Sequence, residues 1–129
     1  MKTKLFYTLF CITFINCLAI AQFTDDFSDG NFSSNPAWFG ESSKFEAASN
    51  ELHLNDTAAG TAYMVTNSNV IHTAIWEFRV KMDHSPSSSN LSRVFLMSDN
   101  SDLTASLNGY YVEIGNNTNS TSDDITLYR

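Results

Sequence analysis

Between Ile75 and Met82 the chain alternates with almost no exceptions, and this constrains its fold more than any other feature. Trp76, Phe78, Val80 and Met82 fall on one side of an extended backbone, and Glu77, Arg79 and Lys81 fall on the other. A period of two is the signature of a strand with one buried and one wet face. It predicts a strand over 75–82 whose inward stripe begins at Trp76. Arg93-Val94-Phe95-Leu96-Met97 comes next, apolar on both faces after Arg93, as expected of a strand deep in a sheet. Tyr110-Tyr111-Val112-Glu113-Ile114 alternates again, predicting Tyr110, Val112 and Ile114 inward with Tyr111 and Glu113 outward. The three segments together predict an antiparallel meander.

The rest of residues 22–129 has the same character. Lys44-Phe45-Glu46 and Glu51-Leu52-His53-Leu54-Asn55 read as short strands joined by a turn at Asn50, with Leu52 and Leu54 pointing in and His53 out. Thr61–Thr66 and Ile125–Arg129 read as further strands. Ala37-Trp38-Phe39-Gly40 reads as a bulky anchor before a turn. Stretches 83–92, 98–108 and 116–124, rich in Ser and Asn, read as loops, with Leu103 and Leu107 tucking the second one down. No 3.6-residue period is sustained after residue 21. Seven or more short strands separated by turn signals predict an all-β sandwich or barrel. A strand running to Arg129 suggests the front part of a longer protein, its open sheet edge covered by the downstream portion.

Residues 1–21 differ in composition. Lys2 and Lys4 precede an apolar run from Leu5 to Leu18, and Ala19-Ile20-Ala21 supplies the small residues of a cleavage site. This is the pattern of a secretory signal, too short for a membrane span, and it predicts an exported or cell-surface protein with no integral membrane insertion. Cys11 and Cys17 both lie inside it, so residues 22–129 contain no cysteine and can form no disulfide or thiolate site. Removing Lys2 and Lys4 takes the formal charge from −7 to −9, leaving Lys44, Arg79, Lys81, Arg93 and Arg129 against fourteen carboxylates. Such a surface repels a phosphate backbone, which excludes nucleic acid as the expected partner.

Several motifs together resemble a known family. Asp25-Asp26-Phe27-Ser28-Asp29-Gly30-Asn31-Phe32 followed by Pro36-Ala37-Trp38 resembles the opening of secreted concanavalin A-like lectin/glucanase domains. Trp76–Lys81, Phe95–Asp99 and Asn108–Gly115 look like the central strands of the same laminin-G-like jelly roll, as found at the N-terminus of large exported bacterial surface proteins. The resemblance spans most of 23–129. It implies an antiparallel two-sheet jelly-roll sandwich, truncated at its C-terminus, with further domains downstream. It also implies a non-catalytic module that binds carbohydrate or another surface component, or displays its neighbours. The alternative is an accessory domain of a polysaccharide-degrading or other hydrolytic enzyme whose catalytic part lies beyond residue 129.

The residues themselves argue against catalysis. Glycoside hydrolysis needs two carboxyls about 5–5.5 Å or about 6.5–9.5 Å apart across one bond. Related laminarinase-type enzymes align theirs as Glu-x-Asp-x-x-Glu on one strand, a pattern absent here. Glu77 shares its face with Arg79 and Lys81, and Glu113 stands alone on its strand, so both read as solvated carboxylates. His53, His72 and His84 lack metal-ligand spacing, and no Gly-x-Ser-x-Gly elbow occurs.

Two candidate sites remain. Asp25, Asp26, Asp29 and Asn31 place three carboxylates and an amide within seven residues, enough hard oxygen for a structural calcium ion, a cofactor the family resemblance favours. The alternative is an Asx-rich turn that satisfies its own backbone. Tyr111, Trp38 and Tyr63 are candidate stacking platforms for a sugar ring, against the alternative that aromatics in a β-sandwich form its core. Asn31, Asn55, Asn90, Asn116 and Asn119 open Asn-x-Ser/Thr triplets, glycosylation positions in a eukaryotic secretory route and a matter of composition in the bacterial source that the resemblance implies.

Overall fold

The computed structural model describes residues 23–70, 73–115 and 124–129. The 1–21 segment and most of the 116–124 loop lie outside the described residues. Among the described residues seven strands form: β1 (Trp38–Gly40), β2 (Phe45–Ala48), β3 (Glu51–Leu54), β4 (Met64–Thr66), β5 (Ser92–Ser98), β6 (Gly109–Ile114) and β7 (Ile125–Tyr128). The one helical element among the described residues is a 3-10 turn, Ser42–Lys44. All pairings are antiparallel, so the molecule is all-β. The strands make three small sheets, ordered β1-β4, β2-β3 and β5-β6-β7.

The β2–β3 hairpin shows how sequence makes structure locally. Ser49 and Asn50 have φ of 55° and 62°, and positive φ at both central residues is what a tight type I′ connection requires. The resulting register pairs Phe45 with Leu54 and Ala47 with Leu52, gathering the apolar residues on one face. Glu46, Glu51 and His53 take the other. Leu54 nevertheless remains 59% exposed, because no second layer among the described residues covers that end of the hairpin.

The β5-β6-β7 sheet is the largest unit. Arg93 pairs with Glu113, Val94 with Val112 and Phe95 with Tyr111, and then Met97 pairs with Tyr110, which leaves Leu96 as the extra residue of a bulge. Since Tyr110 and Tyr111 point to opposite faces, the bulge puts Phe95 and Met97 on opposite faces too. On one face lie Arg93, Phe95, Tyr111, Glu113, Thr126 and Tyr128. On the other lie Val94, Met97, Tyr110, Val112, Ile114, Ile125 and Leu127. Gly109 permits the close approach beyond the bulge, since a Cβ there would run into the Met97 carbonyl.

Three expectations are corrected. The strand over Ile75–Met82 does not form: the segment joins no sheet, and Trp76, Phe78 and Val80 are 42%, 44% and 36% exposed. Alternation favours a strand only where a sheet edge receives it. Arg79 instead bonds Glu51 of β3 at 3.1 Å. The observed meander is therefore β5-β6-β7, and β5 is an edge strand rather than a deep one. Finally, the Tyr111 and Glu113 face is not the wet one. Glu113 is 3% exposed and ion-paired to Arg93, while Tyr110 is 37% exposed.

Loops 83–92 and 98–108 are structured. Ser87 and Asn90 exchange two backbone hydrogen bonds of 2.9 Å. The Asn108 backbone and side-chain N–H groups both donate to the Asp99 carboxylate at 2.7 Å, closing the second loop across its base.

Candidate functional site

The Asp25–Asn31 turn is a succession of Asx turns. Asp25 Oδ1 accepts from the Phe27 amide, Asp26 Oδ1 from Ser28 and Asp29 Oδ1 from Asn31, at 2.9–3.1 Å. Asn31 Oδ1 continues the chain by accepting from the amides of Ser33 and Ser34. The Ser28 contacts hold the Asp26 carboxyl below the usual carboxylate range, side chain first and backbone second. A cation here would have to draw on the lone pairs these bonds leave. Among the described residues no three His, Cys, Asp or Glu side chains converge as a metal site.

Trp38 is anchored in the same region. Its indole Nε1 donates to Asp25 Oδ2 at 2.7 Å, and its ring meets Phe23 edge-on at 6.5 Å and Phe27 at 5.9 Å. Tyr63 lies just before β4, its amide donating to Glu41 Oε2 and its hydroxyl to Asp102 Oδ1 in the 98–108 loop. Desolvation, then the charges of Asp102 and Glu41, push the Tyr63 phenol up. Trp38 and Tyr63 thus flank the β1–β4 pair, while Tyr111 stands in the β5-β6-β7 sheet and stacks on rings of that sheet. The three candidate platforms therefore have different partners: Trp38 has Phe23, Phe27 and Asp25, Tyr63 has Glu41 and Asp102, and Tyr111 has Phe95 and Tyr128.

Tyr111 instead joins residues that its sequence context did not single out. Antiparallel register sets Phe95, Tyr111 and Tyr128 side by side across β5, β6 and β7. Phe95 and Tyr111 have centroids 4.9 Å apart and tilt by 31°; Tyr111 and Tyr128 stack at 5.1 Å and 15°. Such pairs contribute about 0.5–1.5 kcal/mol each beyond their buried area. One step along the same face, Arg93 Nε donates to Glu113 Oε2 at 2.7 Å, and the guanidinium carbon sits 5.4 Å from the Tyr111 centroid. The pair is asymmetric: Glu113 is 3% exposed and Arg93 is 48% exposed. The charged donor therefore reaches solvent while its counter-ion is covered. Tyr128 ends the row on the edge strand, 37% exposed.

A signal for this surface was present in the sequence. Arg-x-Phe in β5, Tyr-x-Glu in β6 and Thr-x-Tyr in β7 share a two-residue spacing. Only the correct register reveals that they coincide.

No family model, curated protein or solved structure matches the chain. Among the described residues no helix is long and apolar enough to cross a membrane.

Proposed function

We propose that residues 22–129 are an exported, non-catalytic β-sandwich module of the jelly-roll type, and that it docks a carbohydrate of the cell surface or surroundings. The observation that carries this is the Phe95-Tyr111-Tyr128 row with Arg93 beside it: the rings stack on one another, which leaves the half-exposed Tyr128 ring at the end of the row as an apolar platform on the same face as a polar donor anchored at a fixed position. Sugars present C–H faces and hydroxyls together, and this surface offers a partner to each. The carboxylate on this face, Glu113, accepts a 2.7 Å hydrogen bond from Arg93, which supports a binding role over acid–base chemistry. The tripartite 1–21 segment supports export.

Affinity electrophoresis of the secreted chain through gels containing soluble polysaccharides tests the proposal. Retardation by at least one polymer is expected, and Tyr128→Ala, at the exposed end of the row, should remove it with the circular dichroism spectrum unchanged. Equal mobility of wild type and Tyr128→Ala in every retarding gel would overturn the assignment of the surface.

A further inference from the structure

The electrostatic character of the Arg93–Tyr128 surface selects its ligand, given the carbohydrate-binding function on which this inference rests. We infer that it takes an uncharged glycan, with Arg93 as the hydrogen-bond donor to ligand hydroxyls. Of the five N–H groups of a guanidinium, the one on Nε is committed to Glu113, and the side chain is half exposed. Glu113 and the Tyr111 ring hold the guanidinium from two directions, so its outer donors are oriented before any ligand arrives. A purely apolar ligand would cover those donors and leave them unsatisfied, which is costly.

An anionic ligand meets a different obstacle. The Arg93 charge is already matched by a carboxylate that is 3% exposed, so the pair offers no net positive charge to an anion. Among the described residues no spare cation lies on this face. Lys44 is within 4.0 Å of Glu41 and Asp56, Arg79 of Glu51 and Lys81 of Asp83, while Arg129 lies over Tyr110 on the opposite face. Residues 22–129 carry a formal charge of −9, so a polyanion would also be repelled on approach. Hydroxyls fit what is left: they accept from Arg93 and need no counter-charge.

The test uses the secreted chain in gels containing mixed-linkage β-glucan, xylan or galactomannan as neutral polymers, and polygalacturonate or dextran sulfate as anionic ones. Retardation by a neutral polymer is expected, unchanged between about 20 mM and about 500 mM salt because no charge is exchanged. Arg93→Lys keeps the partner charge for Glu113 but loses the fork, and should weaken that retention roughly tenfold. Retention by a polyanion that fades with salt, alone or alongside a neutral polymer, overturns the inference and leaves the surface in place. Arg93→Lys binding as tightly as wild type removes Arg93 from the contact. Retention by none of the five polymers contradicts both the inference and the carbohydrate-binding function it rests on.

Discussion

Arg93→Ala should be one of the most damaging single changes outside the turns. It removes the charge-assisted hydrogen bond to Glu113 and the contact with the Tyr111 ring. Breaking a fully buried ion pair costs about 3–5 kcal/mol, but Arg93 is 48% exposed, so water softens the loss. A hydrogen bond to a charged group accounts for about 1.5–3 kcal/mol and the cation–π contact for about 0.5–1 kcal/mol. Taking the lower part of each range gives about 2–3 kcal/mol, a large share of the roughly 5–15 kcal/mol that holds an ordinary domain together. With a urea slope of about 1–3 kcal/mol/M, the midpoint should fall by about 0.7–3 M. Urea titration followed by tryptophan fluorescence would measure this, with Glu113→Leu and the double variant completing a cycle. Glu113→Leu alone removes the covered charge, so the double variant should be more stable than Arg93→Ala. A coupling below about 0.5 kcal/mol would show that the pair is as weak as an exposed one, and would refute the reasoning from Glu113's burial.

Trp38→Ala should cost about 2–4 kcal/mol, since the ring is half-buried against Phe23 and Phe27 and bonded to Asp25, whereas Trp76→Ala should cost no more than about 1 kcal/mol. Thermal unfolding of the two variants side by side checks the order. Acid should open the 98–108 loop. The Asn108 side-chain and backbone bonds lower the Asp99 pKa, so their stabilisation is fully present above the ordinary carboxylate pKa and is lost as pH falls through the lowered folded value. The protection of the Asn108 amide, its exchange relative to the intrinsic rate at each pH, should therefore be constant from neutral pH to about pH 5 and fall below about pH 4, a response that Asp99→Asn removes. For the Asp25–Asn31 turn, the Asx bonds need no metal, so calcium and chelator should give superimposable melting curves. A chelator-induced drop in Tm that Asp26→Ala abolishes would instead place a cation there.

Local chemistry was legible in the sequence wherever a few neighbouring residues decide it. The Asn50 turn, the apolar side of the β2–β3 hairpin, the Asx-rich opening and the strands near 92–98, 109–114 and 125–128 come from turn propensity and two-residue periodicity. So does the all-β class. Asp25, Asp26 and Asp29 were recognisable as turn residues because an Asx side chain reaches its own backbone two residues on.

What pairs with what was decided by tertiary structure alone. Trp76, Phe78 and Val80 alternate as well as any segment of the chain, yet they join no sheet. A strand needs an edge to bond, and periodicity within one segment does not supply it. Glu113 looked like a solvated carboxylate because its neighbours along the chain say nothing of Arg93, twenty residues away and directly opposite in the ladder. The same register turned Tyr111 from a lone outward ring into the middle of a three-ring row. Periodicity specifies which residues share a side of a strand, since that is fixed by backbone geometry within a few residues. Which side is covered, and by whom, depends on contacts between segments far apart in sequence, and those exist only once the chain has folded.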